Sequence, residues 1–177
     1  NDTTELMRSR AAAYALYVLA MAGEADIGQV RYFHDNRLNS EPSPLARAQI
    51  GAALAHMGDR SRARNAFRMA EQALGYRNTG DWYQTPLRDL AGVIALAADA
   101  GETELVDRLR RRLERDAPDA GELMTQEQVQ LLLAAHTLQA RAGPVNVTLN
   151  GQALAERRVM ADAQRLAAGL VFRNAAR

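Results

Sequence analysis

The chain contains no cysteine and no lysine, and it is poor in aromatic residues. All 22 basic residues are therefore arginine, and aromatic residues make up 5% of the 177 positions. Without cysteine there is no disulfide framework, no thiolate nucleophile and no cysteine metal site. Without lysine there is no Schiff base and no P-loop lysine. The net charge of +1 lacks the basic excess typical of nucleic-acid binders, so we predict no nucleic-acid partner.

Long apolar runs are also missing from the sequence. No stretch approaches the roughly 18–20 apolar residues that span a bilayer, so we expect no direct membrane insertion by this segment. The first residues, from Asn1 to Glu5, are polar and lack the basic start of a signal peptide. A mature protein would look the same, so this absence says nothing about compartment.

Alanine and leucine dominate what is present. Alanine occurs 35 times and leucine 22 times. Alanine loses no side-chain entropy in a helix, and the residues that disfavour helix are scarce. The composition therefore predicts an all-α protein.

Four glycines mark a repeat in the first 143 residues. Gly23, Gly58, Gly101 and Gly143 each follow an alanine by three residues, and they lie 35, 43 and 42 residues apart. This period is typical of stacked two-helix units. A helix often ends in a residue with positive φ, which glycine adopts without a steric cost. We therefore predict that a helix ends before each glycine.

The helix starts repeat as well. Ser43-Pro44-Leu45 and Thr85-Pro86-Leu87 lie 42 residues apart, and in each a hydroxyl residue can cap a helix that begins with proline. A third start, Thr125-Gln126-Glu127-Gln128, is a capping box in which Gln128 would reach back. The predicted helices cover residues 4–22, 27–38, 44–57, 60–74, 86–100, 102–116 and 126–142.

The fourth predicted helix shows the clearest periodicity. Its apolar stripe consists of Ala63, Ala66, Phe67, Ala70, Ala73 and Leu74, which share one helix face. We predict that the opposite face, with Arg62, Arg64, Arg68 and Glu71, meets solvent. The arginines between Arg108 and Arg115 are accompanied by Asp107, Glu114 and Asp116, which indicates a solvated face as well.

The pattern changes after Gly143. Residues 144–151 contain β-branched side chains in alternation and end in Asn150-Gly151, which predicts a strand that enters a hairpin turn. Gly169 to Asn174 predicts a second short strand, and residues 152–168 allow either helix or an irregular return. We therefore divide the chain into a helical-hairpin repeat region, 1–143, and the β-rich start of a following domain, 144–177.

A search for catalytic residues finds no set. His34, His56 and His136 lie on different predicted helices, so no i,i+4 metal pair exists. We expect His56 to meet the carbonyls at its helix end and His136 to be a core or boundary residue. His34 and Asp35 are adjacent and should face different ways on a helix. No Gly-x-Ser-x-Gly or glycine-rich nucleotide motif is present, so the sequence predicts no catalytic, metal or cofactor-binding residues and no cofactor.

Two other groups were candidates for function. The aromatic cluster of Trp82 and Tyr83 lies on a predicted loop, where it is either a ligand or partner contact or a cover for the helix ends. Tyr14, Tyr17, Tyr32 and Phe33 are expected to pack between the first two helices. The dense acidic stretch of Asp81, Asp89, Asp99, Glu102 and Glu104 lies mostly at predicted helix ends, where it does not favour an enzyme.

Part of the chain resembles the tetratricopeptide repeat. Leu54, Gly58, Ala63, Phe67 and Ala70 stand at spacings similar to its apolar and small positions. Only one unit matches well, and the glycine period exceeds that family's roughly 34 residues. A stand-alone helical-repeat module that binds a protein or peptide in its groove is the alternative function that this resemblance implies.

A second resemblance covers nearly the whole chain. Its motifs run in the order Ala13-Tyr14-Ala15-Leu16-Tyr17, Ser43-Pro44-Leu45-Ala46-Arg47, Thr85-Pro86-Leu87-Arg88-Asp89 and Thr125-Gln126-Glu127-Gln128-Val129. This order is similar to the later part of the thioester domain of bacterial alpha-2-macroglobulins. The resemblance implies helical hairpins of an α/α toroid or solenoid, with a short C-terminal β-hairpin-like segment. It also implies a following β-domain.

That family consists of large bacterial proteins that trap proteases and act as broad-spectrum endopeptidase inhibitors. The resemblance implies target proteases as partners of the full-length protein and contacts of this segment with neighbouring β-domains. It implies a location in the periplasm, or a membrane anchor facing the periplasm. The family's Cys-x-Glu-Gln thioester has no counterpart here, because the chain has no cysteine. We therefore expect a structural part that lacks the thioester and is not an enzyme.

Overall fold

The computed structural model describes residues 2–76, 84–116, 123–141, 147–154 and 159–174. Helices occupy most of these ranges, and a small sheet lies near the C-terminus, which confirms the all-α prediction with its short β segment. The helices are α1 (Asp2–Ala22), α2 (Ile27–Asn36), α3 (Pro44–His56), α4 (Arg60–Ala73), α5 (Pro86–Ala100), α6 (Thr103–Asp116), α7 (Thr125–Arg141) and α8 (Ala163–Ala167). Each of the seven predicted helices begins and ends within two residues of the observed bounds.

The helices form two layers of hairpins. α3 packs against α1 and α5, while α4 covers α3 and α6 covers α5. Helices α1, α3 and α5 therefore form an inner layer, and α2, α4 and α6 form an outer one. An α/α toroid and a solenoid share this alternation.

The predicted start and end signals of the helices are largely confirmed. Gly23, Gly58 and Gly101 have φ values of +77°, +84° and +84°, and each follows a helix end. Gly143 lies outside the described residues. Ser43 Oγ accepts a hydrogen bond from Ala46 N at 3.3 Å, and Thr85 caps α5 in the same way.

The capping box predicted for α7 is wrong by one residue. The side chain that reaches back belongs to Glu127, whose Oε2 accepts from Met124 N at 2.9 Å. Gln128 instead donates to Leu123 O. Helix α7 begins at Thr125, so Met124 is the capping position and Glu127 is the third residue of the helix.

The core lies where α3, α4 and α5 meet and is built mainly from alanine. Ala63, Ala66, Phe67 and Ala70 of the predicted stripe are buried. A Cβ atom at Gly51 would lie 3.1 Å from the Phe67 ring and 3.3 Å from Ala63 O. Gly51 therefore lets the phenylalanine ring pack directly on the backbone of α3.

The structure divides into two compact units, Asn1–Gln139 and Ala140–Arg177. The second unit holds α8 and the strands β1 (Val147–Leu149), β2 (Gln152–Ala153) and β3 (Phe172–Asn174), in the order β2-β1-β3. Both pairings are antiparallel. Asn150 and Gly151 have φ values of +51° and +85°, as the two central residues of a type I′ hairpin turn require.

The prediction of a strand followed by an Asn-Gly turn is thus confirmed where the residues are described. Residues 144–146 of the predicted segment lie outside them. The ambiguous segment 152–168 contains β2 and α8. No helix in the described ranges is both long and apolar enough to cross a membrane.

Candidate functional site

A cavity of about 510 Å³ lies between the inner helices of the first unit. It is lined by side chains of α1, α3, α5 and α7, most of them apolar or uncharged. The lining residues include Tyr14, Tyr17, Met21, Leu45, Gln49, Gly92, Leu96, Asp99, Val129, Gln130, Leu133 and Thr137. A Cβ atom at Gly92 would lie 2.6 Å from Leu45 Cδ1 and 3.0 Å from Gln130 Oε1, so this glycine gives side chains of α3 and α7 room to meet beside α5.

Three polar side chains come together at the C-terminal ends of α1, α3 and α5. His56 Nε2 lies 3.0 Å from Asp99 Oδ2. The His56 ring is tilted against the Tyr17 ring, with 6.3 Å between the ring centroids. The prediction that His56 would meet its own helix carbonyls missed this contact, in which His56 joins two neighbouring hairpins.

This cluster does not form a nucleophilic set. Burial raises the pKa of the Tyr17 phenol, and the negative charge of Asp99 and the Tyr14 phenol add to the effect. Tyr17 therefore stays protonated at neutral pH, where it can donate a hydrogen bond but does not act as a phenolate. Among the described residues, no group of three or more histidine and acidic side chains could hold a metal ion. The cluster is suited to joining helices.

Buried carboxylates lie near the starts of the inner helices. Glu41 accepts from Ser43 N at 3.0 Å and from Ser9 Oγ at 2.5 Å, so it ties α1 to the start of α3. Asp89 is fully buried. Its carboxylate accepts from Gln84 Nε2 at 2.9 Å and pairs with Arg88 Nη2 at 2.8 Å.

The structure places members of the dense acidic stretch in separate surroundings. Asp89 is enclosed by its own loop and helix, Asp99 pairs with His56, and Glu104 is exposed on α6. Asp81 lies outside the described residues. The described members therefore do not share one cavity wall as a pair of catalytic carboxylates would.

A single arginine fixes the loop before α3. Arg47 donates to the carbonyl oxygens of Glu41 at 2.5 Å, Met69 at 2.9 Å and Asn39 at 3.3 Å. Burial lowers the pKa of this guanidinium. One planar side chain thereby satisfies three backbone acceptors from the loop and from α4, for which the wide fork of an arginine is suited.

The outer helices are joined by an ion-pair network. Arg62 Nε lies 3.0 Å from Asp35 Oδ1, and Arg31 Nε lies 2.8 Å from Asp59 Oδ2. The Arg62 hydrogen bond, followed by one from His34, lowers the pKa of Asp35 to about 2. The pKa of Asp59 is lowered mainly by the hydrogen bond from Arg31. The predicted solvent face of α4 therefore also holds α2 against α4.

The prediction for His34 and Asp35 is wrong. His34 Nδ1 lies 2.6 Å from Asp35 Oδ1, and His34 Nε2 lies 3.2 Å from Asn65 Oδ1. The two residues lie in the last turn of α2, where a short carboxylate can bend toward the neighbouring ring. The pair thus contributes to the same outer network.

The exposure of the remaining histidine, of the aromatic residues and of the α6 arginines agrees with the sequence prediction in some cases and not in others. His136 is exposed, because it lies on the face of α7 opposite the buried Ala134. Phe33 is buried as expected, whereas Tyr14 and Tyr32 are more than half exposed. The arginines of α6 lie on an exposed face, as predicted; Arg110 pairs with Glu114, and Arg108 bridges to Glu71 of α4.

The loop candidates Trp82 and Tyr83 lie outside the described residues. The contact between His56 and Asp99 was missed, although the sequence contains a signal for it. Both residues stand two positions before a helix-ending glycine, Gly58 and Gly101. Aligning the hairpins on these glycines would have placed the two side chains at equivalent sites of neighbouring helices.

No family model matches the chain. Two curated relatives do, both named alpha-2-macroglobulin, from the strains Temecula1 and 9a5c of Xylella fastidiosa. Each is 32% identical over 103 residues, which is 57% of this chain and 6% of the relative. The chain thus spans a small part of the length of these relatives.

Solved structures agree with the curated relatives. The native conformation of E. coli alpha-2-macroglobulin matches with a TM-score of 0.66 and 26% identity, over 92% of this chain and 9% of that one. Salmonella alpha-2-macroglobulin reacted with methylamine matches with a TM-score of 0.64 and 30% identity, over 99% of this chain and 12% of that one. The matched region includes both the hairpins and the residues that follow them.

Proposed function

Because its curated and structural neighbours point to bacterial alpha-2-macroglobulin and the chain matches one part of that protein, we propose that it is a structural segment of a broad-spectrum protease inhibitor. In this proposal the hairpins of residues 1–143 are the later part of a thioester-type domain, and residues 144–177 begin the next β-rich domain. The segment carries no thioester and catalyses nothing. Its role is to frame a reactive centre formed elsewhere in the parent protein.

The observation that carries this proposal is the extent of the structural match. A likeness over 99% of the chain at 30% identity includes two units of different architecture in the same order. A generic helical repeat would match the hairpins alone. The Salmonella relative was solved after reaction with methylamine, a small amine nucleophile of the kind that a thioester acylates.

The internal chemistry of the first unit supports a framing role. Its buried carboxylates, Glu41, Asp89 and Glu127, bond to residues at the starts of inner helices or in the loops before them. The partly buried Arg47 bonds to the loop before α3 and to α4. Buried and satisfied polar contacts of this kind favour one arrangement of the helices. A rigid stack can hold a reactive group of a neighbouring segment at a fixed distance from its partners.

We further propose the family's location and partners for the parent protein. It would act in the periplasm, or on a membrane anchor facing the periplasm, and its target would be proteases that cleave a bait region. The segment itself would contact neighbouring β-domains. The family resemblance alone supports these points.

The experiment compares the full-length parent protein with the 177-residue chain. Each is incubated with trypsin, and cleavage is measured on casein and on a small chromogenic peptide. A trap excludes a large substrate but leaves the active site of the protease open to a small one. We expect the parent protein to suppress casein cleavage and spare peptide cleavage, and the isolated chain to change neither.

Two variants of the parent protein test the framing role. Phe67→Ala leaves a cavity in the core of the hairpin stack and lowers its stability. At a temperature where the hairpins of the variant begin to unfold, the protection of casein should be abolished. Arg111→Ala, on the exposed face of α6, is the matched control and should inhibit like the unmodified protein. Protease inhibition by the isolated chain, or unaltered casein cleavage with the parent protein, would contradict the proposal.

A further inference from the structure

The turn between β1 and β2 contains Asn150-Gly151, the one Asn-Gly pair in the sequence. Among the described residues, Asn150 is also the one residue other than glycine with a positive φ. Both residues of the turn are exposed. Asparagine followed by glycine is prone to deamidation, because glycine has no Cβ atom to hinder attack by its backbone nitrogen.

Deamidation of such a pair begins within the chain. The Gly151 nitrogen attacks the Asn150 Cγ atom, a bond forms between these two atoms, and ammonia leaves with the proton of the attacking nitrogen. The product is a five-membered succinimide ring. Water then opens the ring at one of its two carbonyls and gives either aspartate or isoaspartate, in which the main chain runs through Cγ. Water is the co-reactant, and nothing is oxidised or reduced.

The backbone of the turn keeps the reacting atoms apart. Asn150 and Gly151 have φ values of +51° and +85°, close to those of a type I′ turn, in which ψ of the first central residue is about +30°. At that ψ the Gly151 nitrogen lies on the side of the Asn150 Cα–C bond that points away from Cβ. The five-membered ring closes only when this nitrogen rotates to the side of Cβ. The turn therefore has to open before the reaction.

The side chain of Asn150 is held as well. Its Oδ1 accepts a hydrogen bond from Val171 N at 2.9 Å, and Asn150 N donates to Val171 O at 2.9 Å. The pairing of β1 with β3 places Leu149 opposite Phe172, so these two bonds extend the ladder by one step. The carboxamide takes the place of a backbone carbonyl, and it is fixed on Val171 for as long as β1 and β3 stay paired.

We propose that Asn150 is a deamidation site that the closed pairing of β1 with β3 holds back. The reaction proceeds from the minor population in which the turn is open, so its rate follows the opening equilibrium. Aspartate at position 150 keeps an oxygen acceptor for Val171 N and closes the turn again. Isoaspartate adds one carbon to the main chain of a two-residue turn and displaces the register that the turn sets. This inference does not depend on the proposed inhibitor role.

The experiment compares the 177-residue chain with a synthetic peptide of residues 142–157, which has the same local sequence and no β3. Both are incubated at neutral pH. Trypsin then releases the same range from the chain, because one arginine precedes it and another ends it, and mass spectrometry measures deamidation. Asn146, which is followed by the β-branched Val147, is the internal control. We expect Asn150 to react at least about tenfold more slowly in the chain than in the peptide, and Asn146 to react slowly in both.

Two variants of Val171 test what holds the carboxamide. Val171→Pro removes the N–H from which Asn150 Oδ1 accepts, and it should bring the rate of deamidation to within about threefold of the rate in the peptide. Val171→Ala keeps the N–H and shortens a side chain that is 53% exposed, so it should react like the unmodified chain. Equal rates in the unmodified chain and the peptide would overturn the proposal. So would a Val171→Pro chain that reacts no faster than the Val171→Ala chain, or a peptide in which Asn150 does not react.

Urea covers the case in which Val171→Pro does not fold. In the unmodified chain the rate at Asn150 should rise with urea, because the open population grows, until it equals the rate of the peptide in the same urea. A rate that does not change with urea contradicts the protection by the closed turn. Asn150→Asp then tests the fate of the products: amide hydrogen exchange at Val171 should match that of the unmodified chain, and an increase of about tenfold would contradict the retained acceptor.

Discussion

The contact between Phe67 and Gly51 predicts that the effect of Gly51→Ala on stability changes sign when the Phe67 ring is removed. Phe67 is 1% exposed, and its ring lies against the backbone of α3 at Gly51. Phe67→Ala removes the buried ring and leaves a cavity, so it should lower the free energy of unfolding by about 3–5 kcal/mol. The effect of Gly51→Ala should depend on whether that ring is present.

In the unmodified chain, Gly51→Ala places a Cβ atom 3.1 Å from two ring carbons and 3.3 Å from Ala63 O. A backbone oxygen on one side and a buried ring on the other leave little room to relax. Overpacking of a core costs about 1–3 kcal/mol, whereas alanine gains about 1 kcal/mol over glycine within a helix. We therefore expect Gly51→Ala to destabilise the protein by up to about 2 kcal/mol.

In the Phe67→Ala variant the ring is absent, whereas alanine at position 51 still has a higher helix propensity than glycine. There Gly51→Ala should be stabilising by up to about 1 kcal/mol. Phe33→Ala, a second buried aromatic truncation, is the matched control and should leave the sign of the Gly51→Ala effect unchanged. Urea unfolding followed by circular dichroism at 222 nm gives the four free energies of the cycle.

Either of two results would contradict this packing of Phe67. A cost near zero for Phe67→Ala would mean that Phe67 is not in the core and that the hairpin alignment is wrong. Equal effects of Gly51→Ala with and without the ring would mean that Phe67 does not pack on Gly51.

Other expected outcomes follow from the polar contacts. Because the pKa of Asp35 is held at about 2, below its unfolded value of about 3.9, its stabilising contribution is fully present above pH 4 and is lost as the pH falls toward 2. Asp35→Asn should flatten that part of the pH profile of the unfolding free energy, measured by circular dichroism in acid. Asp89→Ala removes the buried carboxylate that bonds both Gln84 and Arg88 and should cost about 3–5 kcal/mol in urea unfolding; a cost near zero would contradict these buried contacts. Arg47→Lys loses the fork over three carbonyls and should cost about 1–3 kcal/mol; an unchanged urea midpoint would show that the fork is dispensable.

The helices could be predicted from the sequence because their ends are set by local chemistry. Ser43 and Thr85 cap through their own side chains, and Gly58 and Gly101 supply the positive φ that ends a helix. These signals act within four residues, so a single sequence contains them. The Asn150-Gly151 turn was predictable for the same reason.

The contacts between hairpins could not be predicted in the same way. Glu127 serves as both the cap of α7 and the partner of Thr85, 42 residues away, and nothing local distinguishes it from Gln128. The apolar neighbours of His136 predict a core or boundary residue, but the side of α7 that faces the stack holds Glu127 and Ala134, and His136 is exposed. Contacts across hairpins depend on which helix faces are paired, and sequence spacing alone leaves that open.

Sequencing the open reading frame that encodes these residues tests the assignment most directly. We expect it to encode a large protein with a bait region and further β-domains around this segment. It should also show whether Cys-x-Glu-Gln precedes Asn1, as the family's thioester requires. A reading frame without a bait region and without further β-domains would contradict the inhibitor assignment and favour a stand-alone helical-repeat binding module.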